Sequence, residues 1–401
     1  MRVLRWFAVA AAVAPVLAFA PQGSAASATA TLRPGQAAFW NGSGDRDFTI
    51  VVRPGAWRLR VAWDVGDFRQ GAGGDLLDPS GKHVTYIAGY DSGEAYVLNP
   101  RPGTWTVKMT STQPYRMRAK LETRPVAPRT ARPLLPNLRL VPPHEFTFTG
   151  PVGVGAFSFG VSPATTCSGY EMAEEKGVRC LRFSLGPSNV GQGPLQLVFP
   201  GNQGLVTPGK ATQLVTWTDG HVTERPAGEF LYHKTHAHYH HSGFGSLELL
   251  KVTDTTRGTM EKVGTGPKQG FCTGDIKIAE WEVFGGVQDS SDSQCLNNAA
   301  LVYDPTAGTK MGLSPGWADL YSWEQDGNYV EFGLTNGDGR YVIRSTADAL
   351  NNVLESDESD NTGYAYIEVT GQTIRVLERG RGTSPWDRRK VVTRDNLHPN
   401  A

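Results

Sequence analysis

The chain has 401 residues, with 39 Lys+Arg against 39 Asp+Glu, so its formal net charge is zero. That balance excludes the strongly basic field by which a dedicated nucleic-acid binder collects phosphates. The 47 glycines and 26 prolines follow no collagen period, and no leucine heptads or long Ala/Glu/Lys runs accompany them, so turn-rich β structure is expected.

Residues 1–5 carry two arginines, residues 6–20 are almost purely apolar, and Gly23-Ser24-Ala25-Ala26-Ser27 supplies the small residues of a cleavage site. This is the layout of a signal peptide over residues 1–26. The apolar run is short for a membrane span and Pro15 interrupts it. A secreted protein with no membrane span after cleavage is expected. An oxidising compartment favours disulfides, and proximity in sequence pairs Cys167 with Cys180 and Cys272 with Cys295.

Residues 27–122 read as short strands between turn clusters. Phe48-Thr49-Ile50-Val51-Val52 and Trp57-Arg58-Leu59-Arg60-Val61-Ala62-Trp63 flank Arg53-Pro54-Gly55, and Trp105-Thr106-Val107-Lys108-Met109 alternates as a half-buried strand does. A β-sandwich accounts for that spacing. The run from "PGAWRLRVAW" through "LLDPSG" to "RPGTWTVKM" resembles the jelly-roll domains of pre-peptidase C-terminal type appended to secreted bacterial enzymes. Residues 123–136 contain the proline-rich "RPVAPRTARPLLP", read as a semi-rigid linker. Residues 137–378 again show short strands and Gly/Pro turns, and residues 379–401 read as a loosely held polar tail. The fold class is all-β, with two independent cores expected on either side of the linker.

Five of the nine histidines fall in "YHKTHAHYHHS". Phe230, Tyr232, Thr235 and Tyr239 favour a strand there, and positions 236, 238 and 240 then share one face. Three imidazoles converging on a point suit copper, zinc, iron or nickel and leave coordination positions open for chemistry. His233 and His241 would lie on the opposite face, as supports. The bland alternative is an exposed His-rich strand. A zinc peptidase is disfavoured because the one His-Glu pair, His144-Glu145, has Phe148 where a second histidine belongs.

At "HAHYH" the sequence resembles the copper-binding strand of the lysyl oxidase family. "PKQGFC" is similar to the segment holding that family's cofactor lysine, here Lys268, and "GLSPGWADLY" to the one holding its cofactor tyrosine, here Tyr321. "LPNL" and "ESDESDN" are similar to the ends of its catalytic domain. The likeness spans about residues 134–370, within the domain drawn at 137–378. It departs from the animal pattern at Thr235 and Trp317, where the family has cysteines.

The resemblance implies an all-β arrangement of an N-terminal jelly-roll-like sandwich followed by a β-sandwich catalytic domain of lysyl oxidase type. It also implies a copper amine oxidase: copper on His236, His238 and His240, and lysine tyrosylquinone formed from Lys268 and Tyr321. Primary amines, possibly protein lysines, and molecular oxygen are the implied partners, with no nucleic acid. Asp319, two residues before Tyr321, is a candidate base. The competing class is a secreted metal-binding or adhesion protein without catalysis. The resemblance also suggests a structural calcium site joining the domain's ends, drawing on Asn137, Leu138, Glu355, Asp357, Asp360 and Asn361, since calcium takes six to eight oxygens.

Overall fold

The computed structural model describes residues 28–65, 72–87, 92–124, 130–148, 180–199, 209–233, 238–266, 270–279, 309–323, 325, 327–333 and 335–393. The predicted signal peptide, Cys167, His236, Lys268, Cys295 and the middle of the predicted linker lie outside these residues. Among the described residues there is no helix long and apolar enough to cross a membrane. The architecture is all-β.

The first unit contains β1 (Ala28–Leu32), β2 (Ala37–Gly42), β3 (Arg46–Val52), β4 (Arg58–Val65), β5 (Gly73–Leu77), β6 (His83–Ile87), β7 (Ser92–Leu98), β8 (Gly103–Thr110) and β9 (Tyr115–Glu122). They form two sheets, in the orders β1-β3-β8-β5-β6 and β2-β9-β4-β7. Alternation explains the core: Phe48, Ile50 and Val52 of one sheet meet Leu59, Val61, Trp63 and Val65 of the other, all buried. The Trp63 indole N–H, which burial would leave costly if unpaired, donates to Ile87 O at 2.9 Å. The sandwich expected from the turn spacing is therefore present.

The second unit runs through β10 (Leu138–Thr147), β11 (Cys180–Asn189), β12 (Leu195–Phe199), β13 (Gly209–Thr216), β14 (Val222–His233), β15 (His238–His241), β16 (Gly245–Asp254), β17 (Thr259–Thr265) and β18 (Lys277–Ile278). It continues with β19 (Thr309–Leu313), β20 (Trp317–Ala318), β21 (Tyr329–Glu331), β22 (Gly339–Ala347), β23 (Thr362–Thr370), β24 (Thr373–Arg381) and β25 (Val391–Val392). Three sheets result: β10-β11-β20-β18 with β21 on β11, β15-β14-β13-β12-β19, and β17-β16-β22-β23-β24-β25. Their inner faces share one core that includes Phe183, Leu185, Leu197, Phe230, Phe244, Phe271, Leu313 and Ile343.

Two boundaries differ from the sequence expectation. Residues 379–393 are not a loose tail: β24 continues to Arg381, β25 pairs with it, and Trp386 stacks edge-on to Tyr366 at 5.3 Å. The charged composition misleads because β24 is an outer strand whose polar residues face water. The end of the predicted linker is also fixed, since Leu134 N donates to Thr216 O (2.8 Å) and Pro133 bridges to Trp217.

Both described cysteines, Cys180 and Cys272, are disulfide-bonded. Their pairing falls outside the described residues.

Candidate active site

Three segments distant in sequence meet at β15. This strand alternates. Tyr239 turns into the core against Phe199 (ring centroids 5.2 Å), and His241 stands edge-on to Phe230 and Phe244 at 5.6 Å each. His240 faces the other way and is 9% exposed. Gly270 packs directly on His240, because a methyl there would come 2.8 Å from its Cβ and 3.4 Å from its Nδ1.

The stretch from Gly270 to Cys272 links the histidine strand to Tyr321. His241 N donates to Phe271 O at 3.0 Å. The Phe271 ring meets Tyr321 edge-on at 5.3 Å, and the Tyr321 hydroxyl lies 3.1 Å from its acceptor, Cys272 O. The backbone of Tyr321 is pinned by both of its bonds to Leu185, N to O at 2.8 Å and O from N at 3.0 Å. Asp319 is buried, and its N–H bonds Pro187 O at 2.9 Å. Burial, reinforced by the nearby Asp319 charge, holds the Tyr321 phenol well above its usual range. The site thus keeps a protonated phenol near a buried carboxylate, with the Gly270–Cys272 stretch between it and the histidine strand.

His241 lies on the core side of β15. Its Nε2–H donates to Ala227 O, which fixes the tautomer, and burial lowers its pKa. Nδ1 is buried with no hydrogen-bond partner among the described residues.

Of the residues predicted from sequence, the structure brings together His240, Tyr321 and Asp319 around the 270–272 stretch. Lys268 and His236 lie outside the described residues, as do the side chains of His233 and His238. Sequence reasoning missed Phe271 and Gly186. A glycine inside the β11 run was the available signal for the second, since strand glycines mark close backbone approach. A methyl on Gly186 would lie 1.9 Å from Asp319 O. Gly186→Ala is therefore expected to push Asp319 and Tyr321 away from β11 and cost about 1–3 kcal/mol by overpacking, checked by thermal melting.

The acidic segment also meets the start of the second unit. Glu355 accepts from Leu138 N and, at 2.7 Å, from the Asn361 amide, and Ser356 N donates to Pro136 O at 2.9 Å. Ligand oxygens of Asp348, Glu355 and Glu358 lie within 4.8 Å of one another. Burial pushes the Glu355 carboxyl up to about 8. The Asn137 amide, oriented to satisfy both its ends, donates to Asp357 O (3.0 Å) and Asp360 Oδ1 (2.9 Å). The carboxylates of Asp357 and Asp360 are otherwise engaged: the first with Ser359, the second with Arg139 at 2.5 Å. The acidic group gathered here is thus centred on Glu355 with Asp348 and Glu358, which differs from the expected set in its carboxylates.

The lysyl oxidase family model matches residues 289–378. That stretch carries Asp319, Tyr321 and the acidic segment, so the resemblance to lysyl oxidases holds over this part of the second unit. No curated protein matches the chain. Among solved structures, the chain is similar to a Bacillus licheniformis lipase, BlEst2, in propeptide form. Identity there is 14% over 47% of this chain and 42% of that one, with a TM-score of 0.19. A protein from Eubacterium rectale matches at 7% identity over 73% of this chain and 65% of that one, with a TM-score of 0.17. The chain therefore spans less than two thirds of either structure's length, and at these scores neither bears on fold or reaction.

Proposed function

We propose that the chain is a secreted copper-dependent amine oxidase. It would convert primary amines, peptidyl lysine or small amines, with oxygen and water into aldehydes, ammonia and peroxide. The observation that carries this reading is the convergence of His240, the 270–272 stretch and the Tyr321–Asp319 pair, with Tyr321 inside the lysyl oxidase family match.

His236, His238 and His240 would hold copper. The donor set fits, because His240 is turned away from the apolar core and neutral imidazole is a copper ligand. Bound copper, with a lysine tyrosylquinone built from Lys268 and Tyr321, would supply the two-electron oxidation that ordinary side chains cannot perform. The remaining work falls to the chain itself. Asp319, buried two residues before Tyr321, would take a proton from the carbon next to the substrate nitrogen. Phe271 packs on the Tyr321 ring and the Leu185 backbone bonds hold its position, so the reacting ring has little freedom. The test is peroxide release by copper-loaded protein across a panel of primary amines. Steady release supports the reading, and copper binding without peroxide from any amine would leave a metal-binding protein instead.

The Glu355 cluster is proposed as a calcium site that ties residues 136–139 to residues 348–361. Calcium bound only to the native state would raise the melting temperature by mass action, roughly 2.7 kcal/mol at a hundredfold excess over Kd. Glu355→Gln is expected to remove most of that gain, because Glu355 is the member of the cluster that bonds both segments, accepting from Leu138 N and from the Asn361 amide. Equal melting curves with calcium and with chelator would contradict the site.

A further inference from the structure

Every residue of β4 is buried, although the strand alternates polar and apolar side chains. Its apolar face fills the sandwich core. Its other face carries Arg58, Arg60, Ala62 and Asp64, and Ala62 belongs to the core of the second unit rather than the first. The outer face of the β2-β9-β4-β7 sheet is therefore covered by the second unit at this point.

Polar contacts join them. Lys277 of β18, fully buried, puts its Nζ 2.7 Å from Val65 O and 3.2 Å from Asp64 Oδ1. Ile278 N donates to Ser92 Oγ at 3.1 Å, and Ser92 Oγ–H in turn donates to Asp64 Oδ1 at 2.8 Å. Trp317, buried at 5% exposure, adjoins Glu94 and acts to lower its carboxyl, and Glu94 is itself paired with Arg60. Trp317 stands where the lysyl oxidase pattern has a cysteine, so at this position the chain has an indole against its own N-terminal unit.

These contacts lie on the strands that lead into the candidate site. Lys277 is the register partner of Ala318, and Ile278 that of Trp317. Ala318 is followed directly by Asp319, and Tyr321 comes two residues later. We propose that the N-terminal sandwich is a working part of the catalytic unit: Asp64, Ser92 and Glu94 clamp β18 and β20, and through them position Asp319 and Tyr321. The sandwich is then not a dispensable spacer, contrary to the two independent units expected from the proline-rich linker. Asp64, Ser92, Glu94, Lys277 and Trp317 act as positioning residues. The clamp stands on these contacts alone; only its effect on turnover rests on the amine oxidase reading.

Two variants of the full-length, copper-loaded chain test it. Lys277→Met removes the ammonium while leaving Asp64 with Ser92 and with Arg116 at 2.9 Å. Trp317→Phe removes only the indole donor and leaves Glu94 with Arg60. Neither strands a buried carboxylate, so both should fold. Amide hydrogen exchange over residues 311–321 is expected to quicken on the order of tenfold, with β22 and β23 unchanged, since local openings need not spread through a domain. Amine oxidation should lose about tenfold in kcat with KM held within about twofold, the pattern of a displaced reacting group rather than weakened substrate binding. Unchanged exchange at 311–321 in folded variants would overturn the proposal, as would an equal rise in every strand, which marks general destabilisation. A wild-type chain that oxidises no amine would remove the functional reading and leave the exchange result to decide the clamp.

Discussion

Tyr321→Phe is expected to abolish amine oxidation while the fold survives. The substitution removes one hydroxyl, which donates to Cys272 O at 3.1 Å. The ring itself keeps its edge-on packing on Phe271 and its backbone bonds to Leu185. Loss of one neutral hydrogen bond costs about 0.5–1.5 kcal/mol, so the melting temperature should fall by only a few degrees. Activity should instead fall to background, because without the oxygen on that ring no quinone can be built. Phenylhydrazine should leave a coloured adduct on the copper-loaded wild type and none on the variant. A variant that turns over amines at the wild-type rate would place the redox centre elsewhere.

The second large effect concerns the metal. His240→Ala should remove a ligand and leave the protein, after copper treatment, short of copper and without quinone. His241→Ala acts differently, because His241 points into the core and donates to Ala227 O. It should retain copper with an affinity lowered roughly 10–100-fold, as for a group that orients a ligand strand rather than binding metal. It should also destabilise the fold more than His240→Ala does, since it empties space between Phe230 and Phe244. Copper content by metal analysis, set beside melting curves, separates the two roles. Full copper occupancy in His240→Ala would refute its assignment as a ligand.

The strands were largely legible from turn chemistry and alternation. The run Phe48 to Val52 and the run Trp105 to Met109 sit within β3 and β8 as read, because each buries alternate residues against the facing sheet. The meeting of His240 and Tyr321 was legible only through spaced motifs, since no local pattern says that residues 81 apart in number will share one neighbour, the 270–272 stretch. What covers the polar side of β4 was not legible at all. Alternating Arg58, Arg60 and Asp64 with Leu59, Val61 and Trp63 distinguishes two faces, yet a solvent-facing and a protein-facing polar surface have the same period. Only the partners reveal the difference: Lys277 for Asp64, Trp317 for Glu94. The polar stretch after residue 378 misled for a related reason, because an outer strand needs few apolar residues to stay paired.

The central claim is that one redox centre is made from two side chains of this protein, Lys268 and Tyr321. Mass spectrometry of proteolytic peptides from the copper-loaded chain tests it directly. The account predicts a branched peptide joining the Lys268 segment to the Tyr321 segment, absent from Tyr321→Phe and from copper-free protein. Recovery of both segments as separate, unmodified linear peptides from fully copper-loaded protein would contradict it.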